Sequence, residues 1–379
     1  IHTISLMKYI FIVQGEGRGH LTQCMALEEI LRKNGHEVVE VLVGKSQSRQ
    51  LPAFFTRSIQ APIRRFESPN FLPTASNKRN NILRSVGYNL LKVPTYLKSM
   101  RFIKDRIRET QAEVVINFYE LLTGLTYALY HIKVPQICIG HQYLFLHKNF
   151  HLPEINKAEL QLLNIFSQLT CLGASKKLAL SFTQMEDDYD HRICIVPPLL
   201  RKEVFSIQAT AGNYIHGYMV NAGFAENVMA WHRQCPETEL RFFWDRKEEK
   251  EVKVIDKTLS FHPLDDKAFL KQMSGCKAYA STAGFESVCE AMYLGKPILM
   301  VPAHIEQDCN AQDAARSGAG IVSDDFDLDK LLRFAGQYTP NPSFRTWVNS
   351  APYVILHALE PEPHDLPYLS GQIRMAGNY

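Results

Sequence analysis

Short apolar runs of strand length alternate with helix-period stretches over most of this chain, and that alternation restricts it to parallel sheets with crossover helices. Residues 8–14 read as a first strand, 21–33 as a helix closed by Asn34-Gly35, and 37–43 as a second strand. Further strands are expected at 113–117, 135–140 and 169–172, with a helix at 122–130. The segment Cys194-Ile195-Val196-Pro197-Pro198 then leaves the first half. The pattern repeats after it, with strands at 214–221, 240–244 and 258–261 and helices at 226–234 and 267–273. A chain of 379 residues also exceeds what one core supports. The expected architecture is therefore α/β, two Rossmann-like domains facing a cleft, 7–197 and 198–360, joined near Pro197. Residues 361–379, with three prolines and two glycines, read as a mobile or loosely docked tail.

The most specific order of residues lies at 281–311. Ala278-Tyr279-Ala280-Ser281 closes a strand, Thr282-Ala283-Gly284 turns it, and Val288, Ala291, Met292 and Leu294 follow at helical spacing. The helix begins at the turn, so its first amides lack carbonyl partners and its dipole is positive there. A pyrophosphate can approach closely where Gly284 carries no side chain. Ile298-Leu299-Met300-Val301 is then a buried strand ending at Pro302, and Glu306 and Gln307 lie beyond its carboxyl end, the side on which open α/β sheets bind ligands.

These residues resemble the nucleotide-sugar glycosyltransferases of the GT-B fold, most closely the inverting group that includes the bacterial undecaprenyl-linked N-acetylglucosaminyltransferase and the small-molecule UDP-glycosyltransferases. The resemblance implies that Thr282, Ala283, Gly284 and Phe285 hold the donor diphosphate, Glu290 the ribose, and Glu306 with Gln307 the sugar hydroxyls. It extends the donor contacts to Gly17, Arg18 and Gly223, and to Phe261, because base binding in this fold usually uses backbone groups near 260–264, where side chains reveal little. Plainer readings stand beside these: Thr282 as a helix cap, Glu290 as an exposed helix charge, Glu306-Gln307 as caps of the helix running to Ser317, and the turn at Gly223 as an ordinary loop.

A second stretch, Gly15-Glu16-Gly17-Arg18-Gly19-His20, follows the first strand and opens the first helix. It is not a dinucleotide fingerprint, because His20 stands where the third glycine belongs and the second strand ends Val43-Gly44 without an acid for the ribose. An imidazole with an ordinary pKa of about 6.5 can take a proton from an acceptor hydroxyl, and the positive helix end favours the neutral ring that a base needs. The resemblance assigns this role to His20 and gives the orienting carboxylate to Glu120, at the end of a later strand. The alternatives are a loop histidine bonded to backbone and a solvated glutamate at a helix start.

No D-x-D pair stands at a strand end facing the pocket, so amides and the helix dipole are expected to carry the leaving-group charge without a metal. The nucleotide sugar, taken as UDP-linked, is a substrate, so no cofactor is expected. The eight cysteines include no C-x-x-C pair, and no apolar run approaches the ~20 residues of a membrane helix, which points to a reducing, cytoplasmic setting.

The acceptor is left open between a lipid-linked group and a glycan. Residues 57–108 hold twelve Lys or Arg against Glu67 and Asp105, interleaved with Leu90, Leu91, Tyr96, Leu97, Met100 and Phe102. Such a segment suits peripheral contact with an anionic membrane or a solvated helical face; nucleic acid is disfavoured. His141-Gln142 resembles an acceptor-side loop of the lipid-linked enzymes without completing its pattern. The function expected is transfer of a hexosyl group with inversion. A nucleotide-sugar 2-epimerase and a noncatalytic sugar-nucleotide or lipid-binding protein are the alternatives.

Overall fold

A computed structural model describes residues 6–45, 50–69, 92–220, 222–244 and 251–360. The first half forms a sheet from β1 (Lys8–Gln14), β2 (Glu37–Gly44), β3 (Ile63–Phe66), β4 (Val114–Phe118), β5 (Gln136–Gly140), β6 (Ala174–Leu180) and β7 (Ile193–Val196). Their order is 3-2-1-4-5-6-7, and every pairing is parallel. The second half supplies β8 (Tyr214–Met219), β9 (Glu239–Trp244), β10 (Lys253–Val254), β11 (Leu259–Pro263), β12 (Ala278–Ser281), β13 (Ile298–Met300) and β14 (Gly320–Val322). Their order is 10-11-9-8-12-13-14, parallel except for the edge strand β10.

Helices cover both faces, so the central strands carry apolar side chains on both sides. Ile10, Phe11, Ile12 and Val13 are all buried, and so are Val114, Val115 and Ile116 beside them. The helix Arg18–Lys33 turns Leu21, Cys24, Leu27 and Leu31 onto the sheet at helical spacing. It ends as the sequence indicates. Gly35 takes a φ of 85°, its N–H reaches Arg32 O at 3.1 Å, and the His36 N–H reaches Leu31 O at 3.0 Å, the paired bonds of a left-handed glycine cap.

One expected strand is not formed. Residues 169–172 fall at the end of the helix Lys157–Thr170, and the strand begins only at Ala174. So short and largely apolar a run fits either element, and Leu160 and Ser167 upstream, with Thr170 itself, settle it by burying one helical face. The expected tail at 361–379 and Asn221 lie outside the described residues.

Each sheet reverses its winding once, at β1/β4 in the first half and β8/β12 in the second. Loops leaving the carboxyl ends at such points diverge to opposite faces and open a crevice. The chain also returns to its first half near the end: Trp347 Nε1 donates to Ser181 O at 3.0 Å, and Lys176 Nζ donates to Ala358 O at 3.0 Å. A single apolar core runs from Leu180, Val196 and Leu199 into Phe285, Ile355 and Leu359, tying the halves together.

Candidate active site

The turn after β12 is built by local hydrogen bonds. Ser281 Oγ accepts from Ala283 N at 3.2 Å, and Thr282 Oγ1 accepts from Val220 N at 3.2 Å. The Thr282 hydroxyl therefore joins two strand ends and is not a helix cap. Ala283 takes a φ of 63°, a left-handed conformation that a residue with a Cβ adopts at some cost. Asn310 Nδ2 holds its carbonyl at 3.3 Å. Gly284 then caps the helix Phe285–Tyr293 with no side-chain hydrogen bond, leaving the first-turn amides directed into the crevice. A Cβ on Gly284 would meet only Ser287 Oγ, at 3.7 Å, so the space in front of the turn is open.

His20 sits in the first turn of the helix Arg18–Lys33, at the carboxyl end of β1. Its ring is buried and stacks on Tyr119 with centroids 5.4 Å apart. Nδ1 lies 3.3 Å from Gln23 Oε1, which can only accept, so Nδ1 donates. Nε2 lies 3.4 Å from Gln142 Nε2, which donates to it. This arrangement makes the ring neutral with its lone pair on Nε2. Burial lowers the pKa of His20 below its ordinary value, while Glu306 and the Gln23 hydrogen bond pull it partly back.

The two crevices face each other across short bonds. Gln142 Nε2 donates to Glu306 Oε1 at 2.9 Å, and Gln23 Nε2 donates to Glu286 Oε1. Arg18 Nη1 reaches Asp266 Oδ1 at 2.6 Å. His141 stacks on Phe285 at 3.9 Å. His20 and the turn at Gly284 thus share one cleft.

Several expected roles change. Glu120 is fully buried, but its carboxylate accepts from Ser68 Oγ at 2.5 Å and from Leu122 N at 3.0 Å, capping its own helix. Among the described residues no hydrogen bond joins it to His20, whose Nδ1 is taken by Gln23. Burial raises the Glu120 carboxyl to about 7, with Ser68 and Leu122 opposing. His141 is enclosed by Phe285, Phe145 and Phe182, and its Nδ1 donates to Leu180 O at 2.6 Å. Burial holds its pKa at about 3, so it is a neutral wall of the cleft and is not open to an acceptor. The Phe261 side chain stacks on Trp244 at 4.5 Å inside the second core, so only its backbone is available to a nucleotide base.

The other expected donor contacts have partners of their own. Arg201 holds Glu290 through two bonds, of 2.6 and 2.8 Å. Gln307 Oε1 accepts from Ala303 N at 2.8 Å, one residue before the cap His304 of the helix Ile305–Arg316. A Cβ on Gly17 would meet nothing within 4 Å, so that backbone lies open. Gly223 sits in the short turn Ala222–Phe224 after β8.

In the basic segment, Tyr96 and Met100 are buried with Ile103 and Ile107, a helical stripe of the core and not a surface feature. Leu97 is exposed, and Leu90 and Leu91 lie outside the described residues. Arg106 and Arg64 both bond Glu40, at 2.7 and 2.6 Å, so part of the positive charge is neutralised. Among the described residues no helix is long and apolar enough to cross a membrane.

Sequence reasoning missed Gln23, Glu286 and Arg201. Gln23 was within reach, since it lies one helical turn from His20. Glu286 looks like any acid in a helix first turn.

Comparison with known proteins follows the same lines. The family model described as Glycosyl transferase family 1 matches residues 7–337. A putative UDP-glucuronosyltransferase of Caenorhabditis elegans, ugt-48, is 37% identical over 54 residues, which are 14% of this chain and 10% of that protein. This chain therefore spans about a tenth of the length of the curated relative it matches. Among solved structures, Phytolacca americana UGT2, complexed with UDP-2fluoro-glucose and pterostilbene, superposes with a TM-score of 0.61 at 12% identity, covering 97% of this chain and 98% of that one. The glycotransferase of kitacinnamycin gives a TM-score of 0.60 at 13% identity, covering 93% and 96%. At such identities these likenesses speak to the fold.

Proposed function

Because the chain belongs to glycosyl transferase family 1 and is a glycosyltransferase with the two-lobed GT-B architecture, we propose that it moves a hexosyl group from a UDP-sugar to an acceptor hydroxyl with inversion and without a metal. The observation that carries this reading is the lone pair of a neutral, buried His20 in the same cleft as the uncapped turn at Gly284.

His20 Nε2 takes the acceptor proton as the acceptor oxygen forms its bond to the anomeric carbon. The bond from that carbon to the diphosphate oxygen breaks on the opposite face, and its electron pair stays with the leaving diphosphate. Amides at Gly284 and Phe285, with the helix dipole, stabilise the charge that develops there. Thr282 and Ala283 shape the turn, and Gly17, Arg18 and Gly223 supply further contacts to the donor. Glu306 and Gln307 bind the sugar hydroxyls, and Glu290 binds the ribose on lone pairs that Arg201 leaves. Closure of the halves excludes water that would hydrolyse the donor.

UDP as the nucleotide is supported by the ligand of the UGT2 structure. The acceptor is a hydroxyl-bearing small molecule, glycan or lipid-linked group. Contact with an anionic membrane stays within the proposal through the exposed Val93 and Leu97, beside Lys98 and Arg101. Vesicle co-sedimentation that ignores anionic lipid would remove that part.

Thermal-shift screening against UDP, GDP, dTDP and their sugars tests the donor, since a ligand that binds the folded state stabilises it. The expected result is a larger shift with UDP and a UDP-sugar than with the others. No shift with any of them would overturn the reading, and binding without turnover on any acceptor would favour a noncatalytic protein.

A further inference from the structure

His20 can act as a base at Nε2 only if the proton of its neutral ring sits on Nδ1. Two amides face the ring, and a glutamine can present either its oxygen or its nitrogen. Left to themselves, Gln23 and Gln142 would fit either tautomer. The tie is broken from the other half of the molecule.

A carboxylate accepts and cannot donate. Gln23 gives its Nε2 to Glu286 Oε1, and this turns Gln23 Oε1 toward His20 Nδ1. An oxygen at that place requires N–H on Nδ1. Gln142 is held in the same sense by Glu306. Gln142 stands at Nε2, however, where the acceptor hydroxyl must come, so during reaction only the Gln23 side can remain.

Gly19 makes room for this contact. A Cβ on Gly19 would lie 2.3 Å from Glu286 Oε2 and 2.6 Å from its carboxyl carbon, so the carboxylate rests directly on the start of the first helix. Glu306 and Glu290 are the acids that face Glu286, and burial followed by these charges raises its carboxyl to about 7, so the acceptor-only form that orients Gln23 is the one present above that pH. Glu120, to which the family resemblance gave the orienting role, is turned to Ser68 and its own helix.

We propose that Glu286, acting through Gln23, is a positioning residue that fixes His20 as the Nδ1–H tautomer, and that this hold exists only while the two halves are closed on each other. The inference deepens the reading of His20 as the base and rests on it. It links base and donor lobe: the group that sets the imidazole stands two residues after the glycine of the phosphate turn.

The test is the 15N imidazole spectrum of the full chain, with the His20 signals assigned by their loss in His20→Gln, together with kcat and donor KM. At pH 8, where Glu286 is mostly ionised, wild type should show Nδ1–H. In Glu286→Gln and in Gln23→Leu the tautomer should shift toward Nε2–H, and kcat should fall about 10- to 100-fold with donor KM within about threefold. The exchange Gln23→Glu with Glu286→Gln rebuilds the chain of donors and acceptors, so it should restore both tautomer and rate. A purely structural role for Glu286 would not give that rescue. An unchanged His20 spectrum in Glu286→Gln, or an exchange no better than the single variants, overturns the proposal. If His20→Ala keeps full transfer while the spectra behave as expected, the base reading fails and the positioning relation stands.

Discussion

Gln142 donates to Glu306 at 2.9 Å, and the same nitrogen stands 3.4 Å from His20 Nε2. One amide therefore guards both the proposed base and the proposed sugar contact. An acceptor hydroxyl reaching His20 and a sugar hydroxyl reaching Glu306 each replace one of its bonds, so substrates take over contacts that already close the cleft.

Replacing His20 with Ala should lower transfer by about 10²- to 10⁴-fold while UDP affinity stays within about twofold. Turnover and calorimetric binding on the same preparation check this. Full activity would remove His20 as the base.

The acid limb of kcat/KM should fall below pH 6.5, because burial lowers the His20 pKa and the base stays neutral further into acid. Glu306 raises that pKa, so Glu306→Gln should move the limb to still lower pH. A pH–rate profile of both proteins is the measurement, and a limb that moves upward would contradict the assignment.

Glu306→Ala should separate sugar from nucleotide. Losing a charged acceptor for a sugar hydroxyl costs about 1.5–3 kcal/mol, so UDP-sugar affinity should drop at least about tenfold while UDP alone binds as before. Equal losses for both ligands would place Glu306 elsewhere in the site.

Gly284→Ala should fold normally, since the added Cβ meets only Ser287 Oγ at 3.7 Å and the backbone φ of −65° suits any residue. The methyl instead stands where a diphosphate must approach. UDP binding should weaken about tenfold or more with the melting temperature within about 2 °C, as calorimetry and thermal unfolding will show.

Stability should fall as pH rises from about 4.5 to about 7, in part through Glu120. Its carboxyl is raised to about 7 by burial, so in that window the folded protein holds a proton that the unfolded chain has released. The contribution is on the order of 3 kcal/mol. Glu120→Gln removes the titration, so the variant should gain relative to wild type between pH 5 and pH 8 in denaturant titrations. A constant difference would show that Glu120 does not titrate in this range.

Much of the site was legible because it is local. Strand, small-residue turn and helix at 278–294, and the glycine turn before His20, are written in periodicity over a few residues. Tyr96 and Met100 could have been read the same way, since with Ile103 and Ile107 they repeat at helical spacing. Phe261 carried no such signal, because the contact expected there is through backbone, and its side chain packs on Trp244 in the core. Glu286 was hidden for another reason: its partner Gln23 is 263 positions away.

The sequence by itself determined two wound parallel sheets, the places where strand ends meet helix starts, and a histidine at one of them, since burial patterning and turn chemistry act between near neighbours. Only the tertiary structure decided which groups meet across the cleft. Gln23, bonded to Glu286, stands beside His20 Nδ1 where Glu120 was expected, because hydrogen bonds between distant residues depend on how the halves close, and a one-dimensional pattern does not encode that geometry.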